Sequence, residues 1–170
     1  MELKDFIIES MGRVREGTLN AVKDLTPVQL TWQAVPDANP IGFLLWHVAR
    51  SEDAYFNRWI QPAGEVWETG GWYRRLNLPL RETGNSWNAE QVSRFPAIPL
   101  ADLVGYMAAV QESSIEVLKG LDIKRLGEKP RPDRPTLTIA NLLQNLTNHE
   151  SHHQGSIEFM IGIMRSKGIR

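Results

Sequence analysis

Residues 136–166 read TLTIANLLQNLTNHESHHQGSIEFMIGIMRS. Apolar side chains recur at every third or fourth position: Ile139, Leu142, Leu143, Leu146, Ile157, Met160, Ile161 and Met164. At about 100° per residue they line up as one stripe, which predicts an amphipathic helix with one buried face. Thr136 or Thr138 suits its N-cap, and Gly168 its stop. Three of the chain's four histidines sit in the middle of this stretch. With His149 as origin, the stripe is centred at about 60–70°. His153, at about 40°, and Glu150, at about 100°, fall inside it. His149 lies on its margin, whereas His152, at about 300°, and Ser151 point away.

His149 and His153 therefore project inward together, one turn apart, the spacing two metal ligands on one helix need. A single inward histidine is more often a satisfied core residue. Two inward histidines beside a buried acid favour a metal site over a polar core network. The same residues spell H-E-x-x-H, the zinc-protease pattern. That reading fails on the third ligand: little chain follows His153, QGSIEFM holds no histidine, and Glu158 points to the opposite side. The remaining histidine is His47, embedded in the apolar run FLLWHVA. It is either a core histidine or a third ligand delivered from a facing helix, the usual way bundles build such sites. Three histidines without a fourth protein ligand leave an open position, the pattern of a reactive site.

Helical periodicity also dominates the rest of the chain. It predicts helices over 3–24, 40–60 and 99–120, with a short capped turn at Thr26-Pro27 and another after Asn88. No internal repeat or β-alternation competes, and four amphipathic helices bury their faces most simply as one bundle. Residues 61–98 are the least regular and hold Trp67, Trp72 and Trp87. So many aromatics predict a segment that folds over something, as a lid or a partner surface. Trp67 and Trp72 are candidate pocket walls, and Arg50 with Arg58, Arg74 and Arg75 are candidates to hold a substrate carboxylate. The loop LGEKPRPDRP, residues 126–135, reads as a solvated connection, with anion binding the lesser alternative.

The chain of 170 residues predicts a single domain spanning 1–170. A net charge of −1 gives nothing that draws nucleic acid or anionic lipid from a distance. No stretch reads as a signal peptide or a membrane span, so a cytoplasmic location is the expectation. Cysteine is absent, so the chain supplies neither a disulfide nor a thiol nucleophile. The six tryptophans suggest an aromatic interface, and with it a homodimer.

LTWQAVPDANPIGFLLWHVARSEDAYFNRWI, residues 30–60, resembles the second-helix signature of the DinB-like superfamily of metalloenzymes (DinB/YfiT type). NLTNHESHHQGSIEFMIGIMRSKG, residues 145–168, resembles its last-helix signature, and VWETGGWYRRLNLP is similar to the middle segment of some members. The resemblance implies an all-α four-helix bundle, up-up-down-down with long crossovers and short extra helices. It implies one divalent ion on His47, His149 and His153, for which imidazole ligands make zinc and nickel the leading candidates. Glu150 would stand behind a ligand imidazole or act as a base. Characterised relatives are thiol-dependent transferases, isomerases and amidohydrolases that use mycothiol, bacillithiol or related thiols. The expectation is therefore a metal-dependent enzyme acting on a small-molecule substrate, with a low-molecular-weight thiol as co-substrate or water as nucleophile. The alternative is a non-catalytic metal-binding or stress-response protein.

Overall fold

The computed structural model describes residues 2–170. Its α-helices are α1 (Leu3–Val22), α2 (Pro27–Thr31), α3 (Ile41–Asp53), α4 (Val66–Thr69), α5 (Trp72–Arg75), α6 (Ala89–Ser93), α7 (Leu100–Gly120) and α8 (Ile139–Ser166). A π-helical segment, Ala54–Ile60, continues α3, and a 3₁₀ turn, Ile123–Gly127, follows α7. The described residues contain no strand. The local signals act where the sequence predicts. Thr26, Asn88 and Thr138 each accept a hydrogen bond from the third helical backbone N–H, with a reciprocal side-chain bond back. Gly168, at φ 66°, ends α8, and the Ile169 N–H reaches back to the Met164 carbonyl.

The long helices α1, α3, α7 and α8 form the bundle, with α1 and α3 each packed on both α7 and α8. Side-chain contacts set their directions. Lys4 reaches the Lys119 carbonyl and Arg15 the Met107 carbonyl, so α1 and α7 are antiparallel. Gly42 lies against Leu103 and Asn57 bonds Ser113, so α3 and α7 are parallel. Arg15 pairs with Glu150 and Gly17 meets Gln154, while Leu3 and Ala140 share a groove, so α1 and α8 are parallel. The order is thus up, down, down, up, which replaces the up-up-down-down order. Only the parallel pair α3 and α7 requires the chain to travel back along the bundle, and residues 61–99 make that single long crossover.

That crossover explains why α3 is apolar on every side. Each of its residues from Ile41 to Arg50 is buried. Two neighbouring helices cover its inner face, and Trp67, Trp87 and Phe95 of the crossover cover the outer one, packed on Phe43 and Trp46. A helix that is apolar all round must be buried all round. The crossover is pinned by Asp53, whose carboxylate accepts from the backbone N–H groups of Val66 (2.9 Å) and Trp67 (2.8 Å), from Asn57 (2.9 Å) and from the Tyr106 hydroxyl (2.8 Å). The irregular segment is therefore an outer wall of the core, not a lid. None of the six tryptophans is exposed, so their number gives no reason for a dimer interface.

Candidate metal centre

His47 lies on α3, and His149 and His153 lie one turn apart on the antiparallel α8. Their rings meet edge to face in the middle of the bundle, with centroids 4.5–5.2 Å apart. His149 Nε2 stands 3.0 Å from His47 Nε2 and 3.1 Å from His153 Nε2. One ligand atom from each histidine lies within 4.8 Å of the others, an arrangement able to hold a metal ion. His152 is exposed, as the helical facing predicted.

Local structure aims the first of these rings. His47 Nδ1 is 2.7 Å from the Thr83 carbonyl oxygen. A carbonyl only accepts, so Nδ1 carries the proton and Nε2 presents its lone pair to the other two histidines. Phe43 stacks parallel to the His47 ring at 5.8 Å. Thr83 comes this close because Gly84 follows it. At φ +78°, Gly84 sits where a Cβ would be 2.7 Å from the Trp46 ring and 2.9 Å from the Phe43 ring. Glycine thus meets both a left-handed backbone and a close approach.

The three imidazoles are neutral near pH 7. Burial holds His149 down to about 3, with the positive charge of His153, His47 and His152 adding to the effect. Burial, then His47 and His152, lowers His153 to about 4. Burial also lowers His47, against the opposing bond to Thr83. Neutral imidazole is the form that ligates zinc or nickel.

Behind α8 lies a buried ion cluster. Arg15 donates through Nε to Glu150 (2.6 Å), through Nη2 to Glu52 (2.5 Å), and through Nη1 to the Met107 carbonyl (2.9 Å). All three charged side chains are at most 3% exposed. Burial works against the Arg15 charge, but Glu52 and Glu150 outweigh it and raise its pKa. Glu150 is inward, as its position in the apolar stripe predicts, yet its partner is Arg15 and not an imidazole N–H. A carboxylate so deeply buried pairs with the full charge within reach. The buried Nδ1 of His149 has no protein partner.

A cleft of about 330 Å³ opens beside His47 and His149. Ser51, Ala54, Tyr55, Trp59, Thr83, Asn85, Ser86, Arg131 and Arg134 complete its walls. Trp67, Trp72 and Arg50 do not line it. Trp67 is fully buried and donates to the Pro79 carbonyl; Trp72 packs on Tyr106 and Gly105. Arg50 is fully buried and bonded to Asp53, Glu65 and Tyr106. Helical facing does not foresee Tyr55 and Trp59, because the π segment turns α3 off its regular period. Arg15 left a trace in the sequence: it shares the buried face of α1 with Met11, Thr18 and Val22 at helical spacing.

An up-down-down-up helical bundle with three inward histidines on two facing helices fits a bundle-type metal-binding protein. The chain belongs to the DinB superfamily, whose sequence profile matches residues 11–157. No curated protein matches it. Among solved structures, a conserved protein from Enterococcus faecalis superposes with a TM-score of 0.84, covering 95% of this chain and 96% of that one. At 18% identity this likeness establishes the shared fold.

Proposed function

We propose that this chain holds one divalent ion, zinc or nickel, on His47, His149 and His153, and is an enzyme that activates a small-molecule thiol or a water for transfer or hydrolysis. The observation that carries this reading is the convergence of three Nε2 atoms with separations of 3.0 and 3.1 Å between neighbours. Imidazole lone pairs brought that close repel one another unless a proton or a cation lies among them. A neutral ring carries a single N–H, so a proton on His149 Nε2 can bridge only one of these two contacts, whereas a cation can take the lone pairs of all three rings. A divalent ion bound there lowers the pKa of a water or thiol at its open position.

The protein's own residues supply the framework. The Thr83 carbonyl fixes the His47 tautomer, and such an outer partner raises ligand basicity. Arg15 anchors the Glu150 turn of α8 between the other two histidines. The cleft is of a size for a small molecule, and Thr83, Asn85 and Ser86 of the crossover form part of its wall. With no cysteine in the chain, a thiol nucleophile has to arrive as co-substrate.

The test begins with mass spectrometry of protein purified without chelator or nickel resin, expecting one ion per chain. His149→Ala and His153→Ala should each lose it; full retention by both would remove the assignment. The metal-loaded protein is then offered monochlorobimane with glutathione, bacillithiol or mycothiol in turn, and a panel of amides. Metal-dependent acceleration supports an enzyme. Metal binding without acceleration or hydrolysis leaves a metal-binding protein.

A further inference from the structure

The loop between α7 and α8 takes the lesser of the two roles its composition suggests. Two of its three arginines, Arg131 and Arg134, line the same cleft as His47 and His149. We propose that they form a recognition site for the carboxylate of a small substrate or co-substrate whose reactive group lies at the histidines. This rests on the metal-centre reading for the position of the reactive group, but not for the anion contact.

Arg131 is held in place and is not a solvated surface cation. Its guanidinium lies 3.8 Å over the Trp59 ring, Asp133 pairs with it, and its side chain is only 14% exposed. Arg134 makes no ion pair or side-chain hydrogen bond among the described residues. Prolines 130, 132 and 135 alternate with these residues and restrict the backbone. Backbone bonds tie the strap further: Arg134 N–H to the Arg131 carbonyl (3.0 Å), Leu137 N–H to the Arg134 carbonyl (3.0 Å), and Ile139 N–H to the Glu128 carbonyl (2.9 Å). The strap backbone and the Arg131 side chain therefore have little conformational freedom left to lose on binding, while the exposed Arg134 side chain is ordered by the ligand itself.

Charge bookkeeping points the same way. No aspartate or glutamate lines the cleft. Residues 130–135, the part of the loop at the cleft, carry two arginines and a single acid, Asp133. A divalent ion held by imidazoles alone would add positive charge with no ligand carboxylate to offset it. The nearest buried acids on the far side, Glu52 and Glu150, are both engaged by Arg15. A cleft with basic walls and no acid concentrates anions. Planar guanidinium matches a carboxylate, and Tyr55 and Trp59 supply apolar area for the body of the molecule. The volume, about 330 Å³, suits a small organic acid.

Succinate, its uncharged diamide succinamide, and inorganic phosphate are titrated calorimetrically into chelator-treated and zinc-loaded protein, for the wild type and for Arg134→Met and Arg131→Met. Succinate should saturate both forms, with succinamide at least tenfold weaker. Arg134→Met should weaken succinate by about 10- to 100-fold, the scale of a lost charged hydrogen bond, with thermal midpoint and zinc stoichiometry unchanged. Arg134 is exposed, so this variant keeps the proposal testable if Arg131→Met perturbs the loop. No saturation in either form, equal binding of succinate and succinamide, or an unaltered Arg134→Met overturns the proposal. Phosphate bound more tightly than succinate, with the same loss in the variant, overturns the carboxylate assignment. Zinc bound at one per chain without succinate saturation removes this inference alone. Succinate saturation sensitive to Arg134→Met, in a protein that binds no zinc, removes the metal reading alone.

Discussion

Replacing Arg15 by Met keeps the length of the side chain and removes its charge, leaving Glu52 and Glu150 facing each other across the core. Burial already raises the pKa of Glu52, Arg15 opposes it, and one Glu52 oxygen has no partner. Without Arg15, at least one carboxyl has to fold protonated. Holding a group of ordinary pKa 4.5 protonated at pH 7 costs about 3 kcal/mol. The second carboxylate, now unpaired, adds to this, so the total is about 3–5 kcal/mol, the range for a broken buried pair. That is a large part of a typical domain's stability. The sign with pH follows. Carboxyls whose folded pKa lies above the unfolded value lose stability as pH rises through that window, so the variant's deficit relative to wild type should shrink on going from pH 7 to pH 5. Urea unfolding followed by circular dichroism at both values measures this. Arg15→Met/Glu52→Gln/Glu150→Gln should be more stable than Arg15→Met at pH 7. A single variant within about 1 kcal/mol of wild type, or a triple variant less stable than the single, would show that the cluster is not held by charge.

Three further outcomes follow from the same geometry. His149 and His153, with pKa values lowered to about 3 and about 4, stay neutral in the fold while the unfolded chain takes up protons below about 6.5. Metal-free protein should therefore lose stability as pH falls from 6.5 toward 5, and His149→Gln/His153→Gln should flatten that slope in urea titrations; equal slopes would contradict the depressed values. Gly84→Ala drives a Cβ into Trp46 and Phe43 at a left-handed backbone position, and should cost about 1–3 kcal/mol by thermal unfolding, together with metal content as Thr83 shifts from His47. Asp53→Ala strips five hydrogen-bond donors of an acceptor, Arg50 among them, and limited proteolysis should cut residues 61–99 before the bundle unfolds; unchanged protection of that segment would count against the pinning role.

The all-helical class, the four long elements and the inward facing of His149, Glu150 and His153 were legible in the sequence, because each follows from side-chain period along a single helix. The caps at Thr26, Asn88 and Thr138 were legible for the same reason: a cap is a contact across three residues. His47, the one remaining histidine, was a candidate third ligand beside the core-histidine alternative, and the family signatures favoured the ligand. What spans helices was not legible. The directions depend on which pairs pack, and the crossover at 61–99 follows only from α3 lying parallel to α7. Arg15 reads locally as one charged residue on an amphipathic helix; its meaning comes from Glu52 and Glu150, which only packing brings to it. Trp67 and Arg50 carry residue types suited to a pocket, yet burial of the outer face of α3 took both into the core. Arg131 and Arg134, on a loop that reads as solvated, came instead to the histidines, because a chain entering α8 has to cross the bundle end beside Trp59. Period along the chain determines which face of a helix is inward; only the three-dimensional packing determines what that face meets.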